Sequence, residues 1–142
     1  MTLRQQFKKQ VITVRPHDTI RHTVDLMRDH NVGAVVVEND KEEPVETVTD
    51  REIALAVVGE NCDPNTSVCF IMSSDPVTID QHTGIWNATQ TMLDHHVRLL
   101  VIVDSEFGTV TGIVTMDDLF SLLARELSSP EGTFQPVLAA AV

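Results

Sequence analysis

Gly112-Ile113-Val114-Thr115-Met116-Asp117-Asp118-Leu119 carries a strand into a helix. Small and apolar residues end the strand, Thr115 turns the chain, and acids open a helix continuing through Phe120, Leu122, Leu123 and Leu127. A helix start presents unsatisfied N–H groups and the positive end of the helix dipole, so it suits an anion. The Thr115 hydroxyl stands where a phosphate would lie, and the Asp118 carboxylate, three residues on, suits a sugar diol. The same Thr-x-x-Asp spacing is also close to a capping box, in which the two side chains satisfy the loose N–H groups themselves.

The stretch has a second copy. Val48-Thr49-Asp50-Arg51-Glu52-Ile53 precedes it, with Thr49 matching Thr115 at a spacing of 66 and Ile53 matching Leu119. Further upstream the spacing is 65: Ile12-Thr13-Val14 matches Val77-Thr78-Ile79, and Ile20, Met27, Asp29, His30 and Val32 match Ile85, Met92, Asp94, His95 and Val97. One residue has been added in the turn between. An internal repeat of this period is the strongest organising signal in the chain.

Working outward, each copy reads β-α-β-β-α. In the first, Val11–Val14 is a short strand stopped by Pro16, and Asp18 or Thr19 caps a helix from about Ile20 to His30. Ile20, Val24 and Met27 form its apolar stripe. Val32–Val37 is a buried strand, Glu38–Pro44 a charged turn and Val45–Thr49 a further strand. Asp50–Val58 is a helix ending at Gly59. Asn61–Ser67 is a linker, and Leu99–Val103 repeats the buried strand. A polar lead-in over 1–10 includes a short helix with Leu3 and Phe7 on one side; the tail from Ser129 to Val142, with Pro130, Gly132 and Pro136, is expected to be loose. The division is therefore lead-in 1–10, first repeat 11–68, second repeat 69–128 and tail 129–142. A copy of ~60 residues holds too little core alone, so the two are expected to pack as a pseudo-symmetric pair.

Composition narrows the function. The chain has 142 residues, 42% of them apolar, and a net charge of −11, which opposes binding to nucleic acid and to anionic membranes. Three of its ten basic residues are lysines, a balance that fits a high-salt cytoplasm. No apolar run approaches the ~20 residues of a spanning helix, and the start lacks a signal-peptide apolar region. The expected location is cytoplasmic. Cys62 and Cys69 are expected to be reduced thiols. The six histidines show no i, i+4 pair with a third ligand, so no metal site is expected. Asp117-Asp118 reads as a helix-start acid pair. Trp86, opposite Arg21 in the repeat, is expected on a helix face or at an interface. There is no phosphate-cradling glycine loop and no nucleophile–base arrangement, so no enzyme is expected.

The segments His30–Val37, Val48–Ile53, Ile71–Thr78, His96–Asp104 and Gly112–Leu119, in this order and duplicated, resemble a tandem pair of CBS domains, or Bateman module, over about residues 10–127. The resemblance implies an α+β fold of two β-α-β-β-α repeats related by a pseudo-twofold, with two clefts between facing sheets. It implies a regulatory module that binds AMP, ADP, ATP or S-adenosylmethionine, forms a homodimer and biases a separate effector protein. No cofactor is required. The alternative is a ligandless dimeric interaction module.

Carried over by position, the second-half cleft would use Thr115 and Arg98 towards phosphate and Asp118 towards the ribose hydroxyls. Val77 and Thr78 would hold the adenine edge, and Leu99 and Ile113 would wall it. The other reading of Arg98 is an ion pair with a surface acid such as Asp94. The first-half cleft would use Ile12, Thr13, Gly33, Thr49 and Glu52, but it departs from the pattern: Glu46 stands for Gly112, Glu52 for Asp118 and Gly33 for Arg98. All three changes disfavour a phosphate, so the second half is the expected working site.

Overall fold

The computed structural model describes residues 2–7, 11–72 and 76–128. The tail expected to be loose lies outside them. The described residues fall into two compact units, one built on the second repeat together with residues 2–7 and the other on the first repeat together with 108–110.

The unit built on the first repeat has strands β1 (Thr13–Val14), β2 (Ala34–Glu38) and β3 (Pro44–Thr49) in the order β1-β2-β3. Helix α2 (Ile20–His30) crosses from β1 to β2, which lets those strands run parallel, with Thr13 opposite Val36. β2 and β3 are antiparallel, pairing Val35 with Val48 and Val37 with Glu46; a bulge follows at Val37/Glu38. Pro44 starts an edge strand, where its missing N–H costs little. Helix α3 (Asp50–Ala54) follows and widens into a π turn over Leu55–Gly59; a 3-10 turn, Val68–Phe70, closes the unit. Val14, Ile20, Met27, Val35, Val37, Val48, Ile53 and Val68 form its core. Each such side chain contributes about 1.5–3 kcal/mol by leaving water.

Several local expectations change. β1 is only two residues long. The α2 cap is Thr19, whose hydroxyl accepts from His22 N–H at 3.0 Å; Asp18 instead accepts from Arg15 N–H at 2.8 Å. The buried stripe of α2 is Ile20, Thr23 and Met27, while Val24 is 39% exposed. Thr23 tolerates burial because its hydroxyl donates to Thr19 O at 3.0 Å, one turn back. The helix expected over Asp50–Val58 is α-helical only to Ala54, and the left-handed residue beyond it is Asn61 (φ 57°), not Gly59.

The other unit repeats the plan: β4 (Thr78–Asp80), α4 (Ile85–His95), β5 (Leu99–Asp104), β6 (Thr109–Thr115) and α5 (Met116–Ser128), in the sheet order β4-β5-β6. β4 and β5 are parallel, with Thr78 opposite Val101, the counterpart of Thr13 opposite Val36. Both crossover helices end on a left-handed residue, Asn31 (φ 52°) and His96 (φ 54°). Helix α1 (Leu3–Gln6) joins this unit: Leu3 N–H donates to Thr83 O and Arg4 N–H to Gln81 O, both at 3.0 Å. Leu3 and Phe7 then pack with Ile79, Ile85, Ala88, Met92, Leu100, Ile102, Val114, Leu119 and Leu122.

Candidate functional site

Four of the residues singled out from sequence lie around the start of α5. β6 delivers Thr115, and Thr115 and Asp118 form a reciprocal capping box. Thr115 N–H donates to Asp118 Oδ2 at 3.0 Å, and Asp118 N–H donates to Thr115 Oγ1 at 3.2 Å. A threonine hydroxyl that accepts one bond keeps its own O–H to donate, so the cap leaves Thr115 able to meet an acceptor oxygen. Met116 N–H donates to Arg98 O at 2.9 Å, which binds the residue before β5 to the first turn of α5. The Arg98 guanidinium lies 3.9 Å from Asp117 Oδ1, not beside Asp94, and the side chains are 77% and 90% exposed. A pair so exposed contributes little to stability. Its consequence is positional: it holds a cation at the helix start of an acidic chain.

Val77 and Thr78 sit across the same sheet. Val77 O accepts from Val101 N–H at 3.0 Å, and Thr78 is paired with Val101. Leu99 opens β5 beside Arg98, and Ile113 lies on β6. Gly112 precedes Ile113 where space is short. A Cβ there would come within 3.3 Å of Ile102 Cδ1.

The equivalent place in the other unit has the same frame and different charge. Thr49 N–H donates to Glu52 Oε2 at 3.0 Å and Glu52 N–H to Thr49 Oγ1 at 3.3 Å, while Asp50 N–H donates to Gly33 O at 2.9 Å. A Cβ on Gly33 would lie 3.1 Å from Asp50 Oδ2, so a carboxylate overlies the spot from which Arg98 projects in the second repeat. Sequence comparison of the copies missed Asp50, because its counterpart is Met116 and nothing in the spacing says where its side chain turns. Glu46, paired with Val37 on β3, buries its Oε2 atom. Ile12 and Thr13 lead into and begin β1.

Cys62 and Cys69 are free thiols. Among the described residues, no three His, Cys, Asp or Glu side chains gather as a metal site requires, and no helix is long and apolar enough to cross a membrane.

Two copies of one β-α-β-β-α unit, each ending in a threonine-capped helix, define a tandem-repeat protein. Residues 6–59 and 67–125 each match the CBS domain, and the chain belongs to the CBS domain family. The CBS domain-containing protein YhcV of Bacillus subtilis is 39% identical over 111 residues, 78% of this chain and 76% of that protein. The uncharacterized protein MK0525 of Methanopyrus kandleri is 34% identical over 116 residues, and the match spans 81% of this chain but only 59% of MK0525. Among solved structures, the CBS domain protein PAE2072 of Pyrobaculum aerophilum, complexed with AMP, superposes with a TM-score of 0.75 at 22% identity, covering 88% of this chain and 99% of that one. The CBS domain pair of MJ0100, in complex with 5'-methylthioadenosine and S-adenosyl-L-methionine, gives 0.78 at 19%, covering 89% and 98%. Hypoxic response protein I, with two coordinated zinc ions, gives 0.72 at 25%, covering 85% and 98%. These likenesses bear out the two-repeat α+β fold.

Proposed function

We propose that this protein is a regulatory module that binds an adenosine ligand at the start of α5 and biases a partner protein without catalysing a reaction. The observation that carries the reading is the gathering of a hydroxyl (Thr115), a carboxylate (Asp118) and an exposed guanidinium (Arg98) around one helix N-terminus. Phosphate is matched by Arg98, the Thr115 O–H and the helix dipole. The Asp118 carboxylate is matched to a cis-diol, with charge-assisted bonds of the stronger kind. Val77 and Thr78 would offer backbone groups to the adenine edge, and Leu99 and Ile113 apolar walls. That PAE2072 is complexed with AMP and the MJ0100 pair with S-adenosyl-L-methionine supports this ligand class.

The helix start of the first repeat is the weaker site. Ile12, Thr13, Gly33, Thr49 and Glu52 are in register there, but the Asp50 carboxylate stands in place of a cation. It would stay empty or take an uncharged adenosine portion. The rest of the proposal is a cytoplasmic homodimer that acts on a separate effector protein, independent of nucleic acid, membrane, metal or required cofactor. Ligand would act by population shift, favouring one arrangement of the chain.

Calorimetric titration with AMP tests this. About one site per chain is expected, and two equal sites would refute the asymmetry. Asp118→Ala and Arg98→Ala should each weaken binding at least tenfold. The lost cap at Asp118 should cost only ~1 kcal/mol of stability. Unchanged affinity in Asp118→Ala would leave that residue as a cap alone. A second reading, a ligandless interaction module, has one observation in its favour: Thr115 and Asp118 satisfy each other. Melting with AMP, ATP and S-adenosylmethionine separates the two. A ligand at 100 times its dissociation constant adds about 2.7 kcal/mol, and no shift with any of them would favour the ligandless module.

A further inference from the structure

Beyond α5 the sequence turns apolar. Residues 134–142 read Phe134-Gln135-Pro136-Val137-Leu138-Ala139-Ala140-Ala141-Val142, with no charged side chain in a chain of net charge −11. A short arm precedes them, Ser129-Pro130-Glu131-Gly132-Thr133, in which Pro130 opposes continuation of the helix and Gly132 favours a change of direction. So apolar a stretch gains by meeting an apolar surface.

The unit that carries it offers one. Among the described residues, Trp86 and Leu93 on α4 are 40% and 55% exposed, and Phe120 and Leu127 on α5 are 58% and 61% exposed. Each pair is seven residues apart, two turns along one helix face. The two helices are neighbours on one core, α4 through Ile85, Ala88 and Met92 and α5 through Leu119 and Leu122. A single exposed apolar residue is ordinary, but bulky ones repeated along two neighbouring helices mark a surface that something covers. The fold does not demand them. The repeat spacing sets Arg21 against Trp86, Arg28 against Leu93, Ala54 against Phe120 and Asn61 against Leu127. The bulky apolar set belongs to the copy that the tail follows.

Reach and charge both favour the tail as the cover. Leu127 stands one residue before the end of α5, and the 13 residues of that helix span about 20 Å. Residues 134–142, extended, span about 30 Å, enough to run back along α5 as far as Phe120, with 129–133 left for the reversal. α4 and α5 carry Asp94, Asp117, Asp118 and Glu126 against Arg125 as their one Lys or Arg. A second copy would bring its own net charge of −11 against those acids. Residues 134–142 bring none, and a short tether holds them at an effective concentration of roughly millimolar.

We propose that residues 134–142 fold back over the α4–α5 face of their own unit, with Phe134, Val137 and Leu138 against Phe120, Leu127, Trp86 and Leu93. The segment is a strap. Docked, it closes the face to other proteins; displaced, it opens a binding surface whose aromatic anchors are Trp86 and Phe120.

Trp86 is the single tryptophan and the chain has no tyrosine, so its emission reports this face alone. Emission and acrylamide quenching should be followed in the full chain over a dilution series, with the mass taken from sedimentation equilibrium. Phe134→Asp combined with Leu138→Asp should move emission to longer wavelength and raise the quenching constant at least twofold, while far-UV circular dichroism stays that of a folded chain. Phe134→Leu combined with Leu138→Met, which keeps the tail apolar, should leave both readings as they were. Shielding of the indole should be the same at every concentration, because the tether fixes the local concentration of the tail. An aspartate pair that leaves the indole as shielded as before overturns the strap. Shielding that falls on dilution as the mass halves overturns it too, and gives the face to a second copy. Nucleotide enters neither measurement, so failure here leaves the ligand reading to its own titration.

Discussion

Asp80 occupies in the second repeat the position that Arg15 holds in the first. Both side chains fasten the end of the first strand to the turn between the other two, with opposite charges. Arg15 donates to Asn39 O and lies 3.8 Å from both Glu38 and Asp40. Asp80 accepts from His82 N–H at 2.7 Å and Ser105 N–H at 3.2 Å. Hydrogen bonding from the Ser105 side chain first, then from His82 N–H, with a smaller part from Ser105 N–H, holds the Asp80 carboxyl below its ordinary value of 3.8. The native state therefore prefers the charged form. Its contribution to stability is complete above the unfolded value, and it is lost as pH falls through the lower native one. Asp80→Asn should remove that part of the acid limb when melting temperature is followed against pH. Superimposable profiles would show that the group titrates alike folded and unfolded. At this scale the sequence was legible where spacing alone decides, as in the Thr115–Asp118 pair. It was silent where a side chain's direction decides. Arg98 turns to Asp117 on the next helix rather than to Asp94 on its own side of the turn, a choice that no spacing encodes. Asp50 folds over Gly33 only because glycine leaves the room.

Among the elements, α1 is the least conspicuous and the most consequential. It has only four residues, yet Leu3 is wholly buried and Phe7 nearly so, both within the core of the second repeat's unit. Leu3→Ala should therefore cost about 2–5 kcal/mol in denaturant unfolding, the range for a buried leucine. A cost below ~1 kcal/mol would make α1 an ornament on a core complete without it. Hydrophobic pattern names Leu3 and Phe7 as buried, but not the surface that buries them; that partner lies some eighty residues away. The bounds of α2 were legible from its cap and apolar spacing, and α4 follows from it by the 65-residue repeat. The π turn after α3 was not. A single turn of five apolar and small residues fits a wider helix as well as a regular one, so local pattern does not distinguish them.

For the molecule as a whole, 21 acids against ten basic residues make self-repulsion the dominant long-range term. Exposed pairs such as Arg98–Asp117 weaken in salt, but they contribute little to begin with. Raising salt from ~0.01 M to ~0.5 M shortens the screening length from about 30 Å to a few ångströms. Melting temperature should accordingly rise, by about 4 °C for each ~1 kcal/mol relieved. A fall on adding sodium chloride would mean that attractive pairs outweigh repulsion.

The seating of α1 also sets an order of events. During synthesis, the segment holding Leu3 leaves the ribosome before the first repeat, yet the carbonyls of Gln81 and Thr83 that receive it emerge only after the whole of that repeat. Until then its two apolar side chains have no home. The first repeat is free to fold early on local contacts, whereas the second must wait for a long-range closure, the slow kind. The nascent chain's vulnerable interval therefore falls between these two moments.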